Sequence, residues 1–114
     1  MKENKLVELS MNFAIKIIKL CETIKGHYSL VNQLERSATS IGANIHEAQY
    51  AQSRKDFVSK LEIALKESSE TSYWLKLMYE TGRIGEQECR NAERLCGNIR
   101  RLLIASCRTA KGNQ

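Results

Sequence analysis

The chain is 114 residues long with 42% hydrophobic and 27% charged residues, a balance that suits one globular core and excludes a disordered or fibrous chain. It has no proline and only 6 glycines, too few turn residues for a sheet protein of this size and no obstacle to long helices, so an all-α fold is expected. The net charge of +5 is uneven: positions 83–114 hold seven basic and three acidic residues, which suits an anionic partner.

The first predicted helix spans about 4–25. Leu6, Leu9, Phe13, Ile17, Leu20 and Ile24 fall three and four apart on one face, and Lys5, Glu8, Asn12, Lys16, Lys19 and Thr23 occupy the opposite face. A second apolar series, Val7, Met11, Ala14, Ile18 and Cys21, makes the inner face wider than packing on one side requires, so further cover is expected. Gly26 supplies the stop.

The second helix, about 29–49, repeats Leu30, Leu34, Ala38, Ile41, Ile45 and Ala48 among the small residues Ser37, Thr39, Ser40, Gly42 and Ala43, which let a neighbouring helix approach closely. Beside that stripe Gln33, Arg36, Ser40, Asn44 and Glu47 form a polar line spaced three, four, four and three. The third helix, about 54–81, opens on Ser53 with Asp56 three residues on, a start like a capping box. It turns Phe57, Leu61, Ala64, Ser68, Leu75 and Met78 inward and stops at Thr81-Gly82. With a turn near residue 51, Arg36 falls level with Glu67 and Glu70 of an antiparallel third helix, and either carboxylate suits its guanidinium. The polar network of Gln33, Arg36, Ser40, Asn44, Glu47, Glu67 and Glu70 is therefore expected to fix packing and register rather than to bind a ligand. Trp74, beside Tyr73, is expected to cover the Arg36 region or a subunit boundary.

The fourth helix, about 86–110, carries Cys89, Ala92, Cys96, Ile99, Leu103 and Cys107 inward, and the KGNQ ending has the composition of a frayed tail. Arg90, Arg94, Arg101 and Arg108 recur at four, seven and seven, within one sector away from that face, as a basic line. Short connections imply antiparallel neighbours, hence one domain, 1–114, folded as an up-down-up-down four-helix bundle.

The four cysteines make no C-x-x-C pair and have no histidine at zinc-ligand spacing, so buried reduced thiols are expected. His27 and His46 do not form the Glu-x-x-His pattern of di-iron bundles. No metal, cofactor or catalytic residue is expected, and the chain reads as a non-enzyme. MKENKLVELSMN is charged throughout, with no signal-peptide apolar segment, and no apolar run is long enough to span a bilayer; a cytoplasmic protein without membrane contact is expected.

Gln33, Arg36, Ser40, Ile41, Asn44, Ile45 and Glu47, in the string QLERSATSIGANIHE, are followed by Ser53, Phe57, Leu61, Ala64, Glu70 and Leu75. This combination resembles the bacterial four helix bundle protein family, also called the 23S rRNA-intervening-sequence proteins, over most of the chain. Where that family commonly has glycine after the glutamate, this chain has Ala48. The resemblance implies a homo-oligomer arranged as a pentameric ring. A related branch, the accessory variability determinants of diversity-generating retroelements, forms basic pentamers that bind nucleic acid and a reverse transcriptase. With the basic line of the fourth helix, this leads to the expectation of an oligomeric adaptor holding RNA or DNA largely without sequence specificity, because no aromatic residue is interleaved on that helix. The alternative is a purely structural or protein-interaction homo-oligomer with the arginines as solvated surface.

Overall fold

A computed structural model describes residues 2–112, with side chains from residue 5 onward. Four helices, α1 (Lys2–Glu22), α2 (Tyr28–Ala48), α3 (Arg54–Glu80) and α4 (Glu86–Gly112), follow one another through short loops. Together they measure 47 × 21 × 20 Å. Each helix packs on its chain neighbours, α1 closes against α4, and the two diagonal pairs make no backbone contact. This is the antiparallel up-down-up-down order. The α2–α3 seam is the broadest and the α1–α4 seam the thinnest. Among the described residues no helix is long and apolar enough to cross a membrane.

The inward stripes meet in one core, where Phe13, Ile17, Leu34, Ile41, Leu61, Leu75, Ile99 and Leu103 are each no more than 1% exposed. Burying each such side chain contributes roughly 1.5–3 kcal/mol. At the α1–α2 crossing Ser10 is 2% exposed and a Cβ added to Gly42 would lie 3.5 Å from Ser10 Oγ, so small residues on both helices set this close approach.

α1 stops at Glu22, three residues before the predicted end. The Thr23 and Ile24 N–H groups turn to Leu20 O and Cys21 O at 3.0 and 3.2 Å, and the Thr23 hydroxyl donates to Leu20 O at 2.7 Å. These bonds tighten the last turn and fold Ile24 back into the core. Gly26 and His27 then take positive φ, +78 and +51°. Ala48 ends α2 in helical geometry, with Gln49 after it also right-handed, so the turn asks for no glycine there.

Ser53 Oγ accepts from the Asp56 N–H at 3.0 Å and Asp56 Oδ2 accepts from the Gln52 N–H at 3.4 Å, which satisfies free donors at the start of α3. At its end Gly82 has φ +76°, while Arg83 N–H reaches Met78 O at 2.8 Å and Gly82 N–H reaches Tyr79 O at 2.9 Å, the Schellman arrangement. Glu88 Oε1 accepts from the Gly85 N–H at 2.9 Å and so caps α4. Lys111 and Gly112, predicted to fray, continue α4, where Lys111 Nζ lies 2.6 Å from Glu62 Oε2. The same expectation for Asn113 and Gln114 lies outside the described residues.

Candidate nucleic-acid interface

All six residues predicted to face inward from α4 are buried, which turns Arg90, Arg94, Arg101 and Arg108 outward. Eighteen residues separate the first from the last, about 27 Å at 1.5 Å per residue. Arg90 pairs with Glu86 at 2.8 Å one turn earlier, and Arg101 donates to Asn98 Oδ1. Arg94 and Arg108 are exposed and make no ion pair among the described residues. An exposed i,i+4 pair is worth only about 0.3–0.5 kcal/mol, so Glu86 holds Arg90 weakly.

The charge of this end is not all surface. Arg100 lies between α3 and α4 and donates to Ser68 O, Ser68 Oγ and Ser72 Oγ at 3.2, 3.3 and 2.6 Å. Its guanidinium belongs to the helix seam. Sequence reasoning counted Arg100 only as charge. Its place one turn after inward Cys96 and one before inward Leu103 was the available signal.

On α2 the structure brings Arg36 to Glu70 at 2.5 Å and to Glu67 at 3.7 Å. Glu70 Oε2 also accepts from the Trp74 indole N–H at 3.0 Å. That N–H, and after it Arg36, hold the Glu70 carboxyl below its ordinary value, against the opposing effect of burial. The rest of the predicted polar network is not connected to this group. Gln33 is exposed, Asn44 donates to Ser40 O on its own helix at 2.9 Å, and Glu47 pairs with Lys60 at 3.1 Å. The expected line thus divides into separate contacts, because at 1.5 Å rise Gln33 and Glu47 stand about 21 Å apart and meet different stretches of α3. A buried contact was missed: the Thr71 hydroxyl lies 2.9 Å from Ser37 Oγ, both residues being 0% exposed. Thr71 continues the Ala64, Ser68, Leu75 spacing, so its burial was legible from periodicity.

All four thiols are buried. Burial pushes the Cys21 thiol up to about 11, with Glu35 adding to it, and burial also raises Cys89, Cys96 and Cys107. Such thiols are poor nucleophiles.

The second apolar series of α1 divides. Cys21 is buried, Val7 and Ala14 are half-buried, and Met11 and Ile18 are 59% and 37% exposed. Ile15, absent from the predicted series, is exposed beside them at 42%. Val7, Met11, Ala14, Ile15 and Ile18, with Gly42 and Ala43 of α2, line an apolar groove of about 510 Å³.

The fold and surfaces define a small antiparallel four-helix bundle with a line of arginines on the exposed face of α4 and an apolar groove between α1 and α2. The family model of the 23S rRNA-intervening sequence protein matches residues 2–105, and the chain belongs to that family. A solved structure of a protein with unknown function from the S23 ribosomal protein family of Bacteroides thetaiotaomicron VPI-5482 is similar to it, at 40% identity and a TM-score of 0.89, covering 95% of this chain and 99% of the other. No curated protein matches the chain.

Proposed function

We propose that this chain is a nonenzymatic, oligomeric adaptor of the cytoplasm that holds RNA or DNA on basic surfaces, largely without sequence specificity. The observation that carries this reading is the outward line of Arg90, Arg94, Arg101 and Arg108, with Arg94 and Arg108 unpaired among the described residues. Guanidinium groups match phosphate oxygens with a planar fork of donors, and repetition of the line around a ring would multiply the contacts. The raised thiols support a role without nucleophilic catalysis.

Fluorescence anisotropy with labelled RNA and DNA across a salt series tests the reading. Log affinity should fall with log salt by roughly 0.7 per neutralised phosphate on a single strand and 0.9 on a duplex. Changing Arg90, Arg94, Arg101 and Arg108 to glutamine should abolish binding. Absence of binding at low salt would refute the reading.

The α1–α2 groove favours a second reading, a structural or protein-interaction homo-oligomer with no nucleic-acid role. Both readings include a ring of five copies, about 65 kDa from the 13.0 kDa chain, with apolar α1 residues as its cover. Light scattering should return that mass, and Met11→Lys should return the single chain. A monomer at micromolar concentration would overturn the ring. On the first reading a protein such as a reverse transcriptase would receive the bound nucleic acid.

A further inference from the structure

The arginine line holds phosphates and offers no surface for bases. Helix α3 offers one. Tyr73 is 60% exposed, and its ring stands edge-on to Trp74, with centroids 5.0 Å apart and planes at 74°. Trp74 in turn is fixed through its indole N–H on Glu70, and Glu70 through Arg36 of the neighbouring helix. The tyrosine is therefore held by a chain of contacts running back to α2 while much of its surface remains in water. Such a ring loses little freedom when a flat partner lands on it, which is what a stacking platform requires.

Its helix face is mixed in charge: Glu70, three residues before it, is paired with Arg36, Glu80 follows seven residues after, and two lysines flank it. Lys66 and Lys76, seven residues before and three after Tyr73, are exposed and make no ion pair among the described residues. Ser72, the residue before Tyr73, accepts from Arg100 and lies 3.9 Å from Cys96 Sγ. Tyr73 thus stands level with the Cys96–Arg100 turn of α4, between Arg94 and Arg101 along the bundle axis. The aromatic residue missing from α4 is supplied by α3.

We propose that Tyr73 stacks a base of single-stranded RNA or DNA whose phosphates run between Lys66 and Lys76 of α3 and Arg94 and Arg101 of α4. This rests on the nucleic-acid reading above and adds the class of nucleic acid: a duplex keeps its bases stacked inside and cannot use the ring, so a single strand is preferred.

A 20-nucleotide oligo(dT) and a 20-base-pair duplex distinguish the two readings. Trp74 is the single tryptophan of the chain, and its emission should change when oligo(dT), but not duplex, is bound. Tyr73→Ala should weaken oligo(dT) roughly 5- to 150-fold, leave the duplex affinity within twofold, and leave the salt slope unchanged. Tyr73→Phe should bind as the parent chain does. Tyr73→Leu keeps an apolar cover over Trp74 without a π-face and should weaken binding as alanine does, so the Phe and Leu pair decides the matter even where alanine disturbs the fold. Oligo(dT) affinity unchanged in Tyr73→Leu, or weakened equally for duplex, would overturn the stacking role while the arginine line stands. Failure of the parent chain to bind either probe would overturn both.

Discussion

Replacing Glu70 by glutamine keeps the shape of the side chain and an oxygen for the Trp74 N–H, but it removes the charge that faces Arg36 at 2.5 Å. The pair is half open, with side-chain exposures of 51% and 32%, so solvent screening limits its value to the upper part of the range for surface pairs, about 1 kcal/mol. For a chain of this length that corresponds to a melting point lower by about 4 °C. The dependence on pH carries the sharper test. Because the folded Glu70 carboxyl sits below its ordinary value, its contribution is complete above the unfolded value, about 4.3, and is lost as pH falls through the folded value. Thermal denaturation followed by circular dichroism, at one fixed chain concentration because assembly also shifts the midpoint, should show parent and Glu70→Gln separated at pH 7 and converging toward pH 3. In a cycle with Arg36→Met the two changes should be less than additive. Full additivity, or an equal separation at both pH values, would refute the account of this cluster.

Thr71→Val removes a hydroxyl that is 0% exposed and lies within bonding distance of both Glu67 O and Ser37 Oγ; urea unfolding should show a loss of about 1 kcal/mol, and adding Ser37→Ala should not restore it, because Ser37 Oγ keeps Leu34 O at 3.2 Å as its own acceptor. Gly42→Ala should stabilise by up to about 1 kcal/mol, since the new methyl meets Ser10 at an ordinary 3.5 Å and the helix loses a flexible residue, whereas Gly42→Leu should lower the melting point by forcing α1 from α2. The buried thiols should react with a disulfide reagent at pH 8 far more slowly in the native protein than in guanidinium; for Cys21, pushed up to about 11, about one molecule in a thousand is thiolate at that pH. Prompt native labelling of any thiol would contradict its burial.

The four helices and most of the core were legible because periodicity fixes which side of a helix is apolar, and on α4 every predicted inward residue is buried. The level of Arg36 with Glu67 and Glu70 followed from the loop position and helical rise alone. What escaped depends on how one helix is rotated against another. Arg100 reads as charge in the sequence, and only the α3–α4 seam shows its guanidinium spent on Ser68 and Ser72. Gln33, Asn44 and Glu47 share a face with Arg36, yet α3 presents no common partner to all of them. The early stop of α1 came from Thr23 turning its hydroxyl to Leu20 O, a local competition that apolar spacing does not encode. Tyr73 belongs to a neighbouring helix, so a search for aromatics along α4 alone could not reach it.

The thin α1–α4 seam sets an order of events. The contacts of α1 with α2, of α2 with α3 and of α3 with α4 join segments adjacent in the chain and close short loops, while docking α1 on α4 joins the first helix to the last, the costliest closure in the fold. Because both seams of α1 are thinner than those joining α2, α3 and α4, α1 is the element held least and the first to lift. In native-state hydrogen exchange its amides should open below the global unfolding energy while those of α3 open with it.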